Sequence, residues 1–288
     1  MAGVDPRRTA SQIRQTVAGW RAAGLRIALV PTMGNLHAGH MSLAGLASEL
    51  ADRVVMTIFV NPTQFGVGED FAQYPRTLAD DTAMLAGAGT VDALFVPDVE
   101  EIYPFGTEAA FALDVPDLGR ELCGTSRPDH FKGVASVVLR LLNIIAPDLL
   151  VLGRKDYQQL VIIERMIADL RLPVGVVAGQ TQRDPDGLAI SSRNLYLTAE
   201  ERKRAPLLHS TLIEVGEKIA GGERDFPAVE QFALARLRDG GFKPDYVEVR
   251  KALDLAKPNG SQSPEELIVL AAAWLGRARL IDNFRFTV

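Results

Sequence analysis

The sequence is poor in the features that stabilise or anchor secreted and membrane proteins. It contains one cysteine, Cys123, which excludes an internal disulfide and a cysteine-rich zinc site, and we expect this thiol to be a small buried apolar residue. No apolar run reaches about 18 residues, so we expect no transmembrane helix. The segment before Thr9 lacks the apolar centre of a secretory signal, and we therefore expect a soluble protein of the cytoplasm.

An excess of basic charge is also missing. The formal net charge is −5 and the pI is about 5.5, which argues against a protein that binds nucleic acid through broad phosphate contacts. The sequence contains no repeat and no low-complexity segment. With 288 residues, 47% of them hydrophobic, the chain can bury the core of one large domain or of two modest ones.

The most informative stretch is 29–40. The apolar run Ile27–Val30 predicts a buried strand of a parallel sheet, Gly34 predicts a turn, and a helix is expected to follow to about Leu50. His37 and His40 are three residues apart, so on a helix their side chains share one face. A helix N-terminus after a strand offers unpaired N–H groups to a phosphate, and imidazoles can add hydrogen bonds to it. The pair alone more often has a structural role, and less often forms half of a metal site.

The order of the remaining apolar segments predicts two domains. Helical and strand patterns alternate as far as residue 178, which favours a Rossmann-like parallel sheet with right-handed crossovers. After Thr198 the pattern changes to two helices, to Ala220 and over Phe226–Arg238, followed by three strands. We therefore predict an α/β domain over 1–182 and a smaller α+β C-terminal domain over 183–288. The predicted strands are Arg26–Val30, Arg53–Asn61, Val91–Val96, Leu149–Gly153, Val174–Ala178, Tyr246–Arg250, Leu267–Trp274 and Leu280–Phe286.

Polar residues follow several of these predicted strands. Asn61 and Gln64 come at the carboxyl end of the second strand, where open α/β sheets bind ligands, although such residues are also ordinary in turns. Lys155 follows the fourth strand and suits a phosphate, and Gln159 lies one helical turn further on. His130 stands in a basic loop that could attract an anion or simply be solvated.

Two further groups have two interpretations each. Asp80 and Asp81 stand in the first turn of a predicted helix, where the helix dipole favours carboxylates, but they could also hold Mg²⁺ together with ATP phosphates. Ser191, Ser192 and Arg193 form either a phosphate clamp or a helix cap in a solvated turn.

These segments together resemble one family. The strand, glycine turn and His37-Ala38-Gly39-His40 resemble the nucleotide-binding signature of the nucleotidylyltransferase superfamily. With the lead-in Pro31-Thr32-Met33-Gly34, the stretch resembles the pantothenate synthetase (pantoate–β-alanine ligase) family. The family's other phrases occur in the same order: Phe59-Val60-Asn61-Pro62-Thr63-Gln64-Phe65, Tyr74-Pro75-Arg76-Thr77, Arg127-Pro128-Asp129-His130-Phe131-Lys132-Gly133-Val134, Gly153-Arg154-Lys155-Asp156-Tyr157-Gln158-Gln159 and Ile190-Ser191-Ser192-Arg193. The chain departs from the family at Thr63 and Ile190, where methionine is common, and at Arg154, where glutamate is usual.

The resemblance implies ATP-dependent condensation of (R)-pantoate with β-alanine through a pantoyl adenylate, in a homodimer with Mg²⁺ and with no nucleic-acid or membrane partner. It implies that closure of the C-terminal domain excludes water from the adenylate. His40 would be a proton donor, and catalysis would also involve His37, Lys155 and Arg193. The implied ATP-binding residues are Met33, Gly34, Asn35, Leu36, His37, Ala38, Gly39, His40, Gly153, Arg154, Lys155, Asp156, Gln182, Ile190, Ser191, Ser192 and Arg193. The implied substrate-binding residues are Pro31, Met33, Asn61, Gln64, His130 and Gln159, and the implied metal ligands are Asp80 and Asp81.

Two rival functions differ in their product. Another enzyme of the superfamily would transfer a nucleotidyl group permanently to a phosphate-bearing substrate, and would release no AMP. A non-catalytic ATP-binding module would keep the fold without turnover, and loss of His40 or Lys155 would favour it; the sequence has both.

Overall fold

The computed structural model describes residues 5–66, 68–258 and 266–288, and these fall into two units. The first unit comprises the described residues of 1–154 and 162–180, and the second comprises 155–161 and the described residues of 181–288. Residues 155–161 thus belong to the second unit. The predicted division into 1–182 and 183–288 places them in the first.

The first unit is built on a parallel sheet, as predicted. The strands are β1 (Pro6–Arg7), β2 (Ile27–Thr32), β3 (Arg53–Ile58), β4 (Ala93–Phe95), β5 (Leu149–Gly153) and β6 (Gly175–Gly179). They lie in the order β1-β4-β3-β2-β5-β6, and each recorded pairing is parallel. The chain leaves β2 in one direction to form β3 and later returns to the other side of β2 as β5, so β2 and β5 flank the point where the strand order reverses. Open α/β sheets bind ligands beyond the carboxyl ends of the strands at such a point.

Helices cover this sheet. The core beside β2 and β3 includes Val30, Met56 and Val151, together with Ala44 and Ala47, whose small side chains let their helix lie close to the strands. The two-residue strand β1 is too short to give a period-two pattern and was not predicted. The helices are α1 (Ala10–Ala22), α2 (Ala38–Leu50), α3 (Leu78–Ala88), α4 (Val99–Ile102), α5 (Cys123–Ser126), α6 (His130–Ile145) and α7 (Tyr157–Asp169), of which α7 begins in the residues of the second unit.

The second unit has the predicted order of helices and then strands. Its antiparallel sheet consists of β7 (Lys243–Lys251), β8 (Glu266–Leu275) and β9 (Ala278–Thr287). The helices of this unit are α8 (Ala199–Arg204), α9 (Leu207–Ala220) and α10 (Phe226–Asp239), and one face of the sheet joins a core with α9 and α10. The prediction of a single helix from Thr198 to Ala220 was wrong, because Pro206 lacks an N–H group and divides it into α8 and α9.

A search of the described residues finds no helix with the length and apolar character needed to span a membrane.

Candidate active site

The loop after β2 has a shape that its sequence enforces. Gly34 has φ +79°, and a Cβ built there would lie 2.9 Å from Cγ2 of Ile58, so a glycine is required on two grounds. The Gly34 N–H donates to Oγ1 of Thr32 (3.2 Å), and that hydroxyl donates to the Thr57 carbonyl (2.6 Å). The loop that carries Met33, Asn35 and Leu36 is thereby fixed to the end of the sheet.

Asp81 holds the same loop from the other side. Its carboxylate is 2% exposed and accepts hydrogen bonds from the backbone N–H groups of Asn35 (3.0 Å) and Leu36 (2.8 Å). The Thr77 hydroxyl donates to it as well (3.2 Å), and makes no side-chain cap on α3. Both Asp81 oxygens thus hold the loop, and a role of Asp81 toward a metal stays a prediction. Its neighbour Asp80 is exposed.

The two histidines lie at the start of α2. His37 is the residue before the helix, and its carbonyl accepts from the N–H groups of His40 (2.8 Å) and Met41 (3.1 Å). The two imidazole rings stack with their centroids 4.0 Å apart. A Cβ at Gly39 would lie 3.0 Å from the His37 ring, so the glycine between the histidines is what lets that ring lie over the backbone. Two hydrogen-bonding rings and a helix N-terminus therefore meet in one place, an arrangement suited to phosphate oxygens.

Gln64 is aligned by a buried network. Asn61 is 1% exposed, and its Nδ2 donates to Oε1 of Gln64 (3.1 Å) while its Oδ1 accepts from the Tyr103 hydroxyl (2.7 Å). Burial raises the pKa of Tyr103, which keeps that hydroxyl a donor. The Gln64 Nε2 donates to the sulfur of Met33 (3.1 Å). Asn61, predicted to bind substrate, is therefore placed to orient Gln64.

A glycine brings α6 against the turn that carries Gln64. A Cβ at Gly133 would lie 2.3 Å from the carbonyl oxygen of Thr63 and 2.7 Å from Cα of Gln64. The Gly133 carbonyl also accepts from Nδ2 of Asn61 (3.3 Å). The predicted phrase around His130 thus contributes a close backbone contact as well as a side chain.

His130 is held in one tautomer. Arg127 can only donate, so its contact from Nη1 to Nε2 of His130 (3.1 Å) makes that nitrogen an acceptor, and Nδ1–H donates to the Gln64 carbonyl (2.8 Å). Glu69 accepts from Nε (2.8 Å) and Nη2 (2.6 Å) of Arg127. Burial acts to raise the pKa of Glu69, but Arg127 outweighs it and the pKa lies below its usual value.

The second unit carries the other predicted groups. Lys155 lies in a short 3₁₀ turn before α7, with its Nζ 3.8 Å from Oδ1 of Asp156. Gln159 follows in the first turn of α7. Lys155 is therefore not one helical turn before Gln159 on a continuous α-helix, as the spacing had suggested.

A hairpin leads to the predicted phosphate clamp. The Ile190 N–H donates to the Gln182 carbonyl (2.9 Å), and Gly187, with φ +94°, makes the tight turn between the two arms. The Ser191 hydroxyl accepts from the Arg193 N–H (3.3 Å) and caps a 3₁₀ turn over Ser192–Tyr196. The cap interpretation of Ser191 is thus confirmed, and a role toward phosphate stays a prediction.

The predicted site residues divide between the units. The first unit brings together the loop after β2, the Asn61–Gln64 turn and His130, and its strand β5 ends at Gly153. The residues in the first unit are Pro31, Met33, Gly34, Asn35, Leu36, His37, Ala38, Gly39, His40, Asn61, Gln64, Asp80, Asp81, His130, Gly153 and Arg154. Those in the second are Lys155, Asp156, Gln159, Gln182, Ile190, Ser191, Ser192 and Arg193.

Sequence reasoning missed several supporting residues. Glu69, Tyr103 and Arg183 hold predicted site segments but lie outside any strand-end pattern. Asp282 and Asn283 carried a usable signal, because a buried strand rarely contains two consecutive polar residues without hydrogen-bond partners for them.

The comparisons with known proteins agree with one another. The family model for pantoate-beta-alanine ligase matches residues 6–285. The pantothenate synthetase of Thioalkalivibrio sulfidiphilus is 55% identical over 92% of this chain and 91% of its own length, and that of Shewanella amazonensis is 52% identical over 96% and 97%.

Solved structures give the same result. The crystal structure of pantothenate synthetase from Thermus thermophilus has a TM-score of 0.86 at 40% identity, covering 97% of this chain and 98% of that one. The pantoate-beta-alanine ligase of Francisella tularensis, complexed with beta-gamma ATP and beta-alanine, has a TM-score of 0.82 at 33% identity over 98% and 97%. The chain belongs to the pantoate-beta-alanine ligase family.

Proposed function

We propose that the chain condenses (R)-pantoate with β-alanine at the expense of ATP, giving pantothenate, AMP and diphosphate. The observation that carries this proposal is the loop at the end of β2. There a buried carboxylate fixes the backbone, and two stacked imidazoles meet the N-terminus of α2 at the reversal of the sheet. Family membership supplies the substrates, since relatives carry this enzyme name and one was solved with beta-gamma ATP and beta-alanine.

In the first step, an oxygen of the pantoate carboxylate attacks the α-phosphorus of ATP. The bond to the bridging oxygen breaks, diphosphate leaves, and pantoyl adenylate remains. Negative charge accumulates on the phosphate oxygens during this step. We assign the stabilisation of that charge to His40, to His37 and to the N–H groups at the start of α2. Groups that are held in place before the reaction stabilise such charge without reorganising. Positioning and charge stabilisation of this kind are the main contributions that the protein makes to this step.

Cationic groups of the second unit serve the same step. We assign Lys155 and Arg193 to the charge on the phosphates, and Ser191 and Ser192 to hydrogen bonds with them. We further propose that Gly153, Arg154 and Gln182 lie along the nucleotide, partly through their backbones. A Cβ at Gly153 would be in van der Waals contact with Cδ1 of Leu43, at 3.7 Å.

In the second step, the β-alanine amine attacks the acyl carbon of the adenylate. The C–N bond forms, the acyl–phosphate bond breaks, AMP leaves and the nitrogen loses a proton. We assign pantoate to Gln64 and Gln159, and place His130 beside Gln64 because its Nδ1–H holds the Gln64 carbonyl.

We propose that Mg²⁺ arrives as part of the substrate, as Mg·ATP. Within the described residues, no group of three or more His, Cys, Asp or Glu side chains forms a metal site, and Asp81 is committed to the loop. Mg²⁺ bound mainly by phosphates needs only one or two protein carboxylates, and Asp80 is the exposed candidate. We also keep the homodimer and the cytoplasmic location as proposals from the family, the first testable by analytical ultracentrifugation.

The test is AMP release from ATP and Mg²⁺ with pantoate, with and without β-alanine. We expect AMP and pantothenate in equal amounts when both substrates are present, and a loss of about 100-fold or more in His40→Ala, since removal of one preorganised donor has effects of that size. A stable nucleotidylated product without AMP would identify the rival transferase. ATP binding without turnover under every addition would identify a binding module and overturn the proposal.

A further inference from the structure

Two consecutive residues of β9 connect the segments that carry the cationic groups of the second unit. Asp282 is 4% exposed and accepts from both terminal nitrogens of Arg183, Nη1 at 2.6 Å and Nη2 at 2.9 Å. The N–H of Asn283 donates to the same carboxylate (2.8 Å). Such a bidentate contact fixes both the position and the plane of the guanidinium.

The Arg183 side of this contact leads to the predicted phosphate clamp. Arg183 pairs with Ala189 across the hairpin, and its Nη1 also donates to the Gly187 carbonyl (3.1 Å). The returning arm of the hairpin runs directly into Ser191 and Arg193. Asp282 therefore fixes the base of the loop that ends in the clamp.

The Asn283 side leads to Lys155. The Nδ2 of Asn283 donates to the backbone carbonyl of Lys155 (3.0 Å), although the two residues are 128 positions apart in the sequence. The next turn is held as well, because the Tyr157 hydroxyl donates to the Ala252 carbonyl (3.0 Å). A hydrogen bond to the Lys155 backbone sets where its flexible side chain begins.

The charge balance of Asp282 depends on Arg183. His209 also approaches, with Nδ1 at 3.5 Å from Oδ2 of Asp282. Burial lowers the pKa of His209. The charge of Asp282 acts to raise that pKa, and the charge of Arg183 lowers it further. His209 is therefore mostly neutral at pH 7, and Arg183 is the cation that makes a buried carboxylate acceptable at this position.

We propose that Asp282 and Asn283, which we call the clasp, are positioning residues that hold the Lys155 segment and the Ser191–Arg193 segment in one fixed relation during adenylate formation. The inference rests on the proposed function, because it assigns both segments to the phosphates of ATP. The clasp touches no reacting atom and acts only through the residues it holds.

The test is a pair of double-mutant cycles on pantoate-dependent diphosphate release, measured in single turnovers. We expect Asn283→Ala to slow adenylate formation by about 10- to 100-fold, the scale of a displacement near 1 Å. If Asn283 acts through Lys155, the double variant with Lys155→Ala loses no more than Lys155→Ala alone. The same relation is expected for Asp282→Asn with Arg193→Ala. Losses that multiply in both cycles would overturn the clasp.

A matched control separates positioning from general stability. Asp245 of β7 accepts from Nε of Arg279 of β9 (2.7 Å), so this ion pair joins two strands of the same sheet. We expect Asp245→Asn to keep the wild-type rate of adenylate formation. A slowing by Asp245→Asn equal to that by Asp282→Asn would show that the clasp acts only on stability.

Two further measurements keep the outcomes separable. The midpoint of thermal unfolding is measured for each variant, and the assay temperature is set well below it. If Asp282→Asn does not fold, the cycle with Asn283→Ala tests the proposal by itself, because that variant removes only one neutral side-chain hydrogen bond to Lys155. Wild-type chain that releases no AMP with both substrates would overturn the proposed function. Wild-type activity with multiplicative losses would overturn only the clasp.

Discussion

The two units use different means to hold the segments that we assign to the phosphates. In the first unit, the anchors are one buried carboxylate on backbone N–H groups, at Asp81, and glycines at which backbone and side chains approach closely, at Gly34 and Gly133. In the second unit, the anchors are an ion pair and an amide hydrogen bond between residues far apart in the sequence, at Asp282 and Asn283. Backbone anchors fix a loop's shape, whereas side-chain anchors fix the relation of two segments, so loss of the former should affect folding and loss of the latter mainly the rate.

The largest effect is expected from Asp81→Ala. The change leaves the N–H groups of Asn35 and Leu36 without their buried acceptor, and each such loss has a cost of about 1–3 kcal/mol. We expect the free energy of unfolding to fall by about 2–4 kcal/mol in a urea titration, with ATP binding lost by calorimetry. The matched stability control is Asp80→Asn, one residue earlier and exposed, which should stay within about 0.5 kcal/mol of wild type. Equal destabilisation by both would contradict the anchoring role of Asp81.

A smaller effect is expected from Gly133→Ala. The new methyl group would overlap the Thr63 carbonyl and must push α6 away from the turn that carries Gln64. We expect the free energy of unfolding to fall by about 1–3 kcal/mol, as at other overpacked sites, and the KM for pantoate to rise.

The control for this change is Gly19→Ala in α1, where a Cβ would meet nothing within 4 Å. It should stabilise the chain by about 0.5–1 kcal/mol, because alanine is the better helix former. A Gly133→Ala variant with wild-type stability and KM would show that the turn is not held by close packing.

The difference between the units also explains what the sequence could predict. The parallel sheet and its strands from β2 to β6 followed from apolar runs and periodicity, which act locally, and the histidine pair and Gln64 lie after strand ends as predicted. The contact of Asp81 with the loop at Asn35 could not be predicted, because the sequence shows only a carboxylate in a first helical turn and the fold reveals its partner. The link from Asn283 to Lys155 spans 128 positions, and no local pattern encodes a contact of that kind.

Acid should reveal a further contrast between the units, since folding lowers the pKa of Glu69 in the first unit and that of His209 in the second. For Glu69, burial acts to raise the pKa but Arg127 outweighs it, so the stabilisation is present above the ordinary pKa of 4.5 and disappears as the pH falls through the lower folded pKa. For His209, burial lowers the pKa below 6.5, so the unfolded chain binds the proton more readily and stability declines once the pH falls below 6.5.

The two groups should therefore lose their contributions in separate pH windows. In urea titrations from pH 8 to pH 4, His209→Gln should flatten the decline that wild type begins near pH 6.5. Glu69→Gln should be less stable than wild type by about 1 kcal/mol at pH 7, a value at the upper end for a partly exposed ion pair, and the difference should shrink only below about pH 4.5. A Glu69→Gln difference that already vanished near pH 6 would contradict the assignment of this stabilisation to the Glu69 carboxylate. If stability declined below pH 6.5 in His209→Gln as it does in wild type, another group would cause the decline. The ion pair of Arg183 and Asp282 would then not depend on the charge of His209.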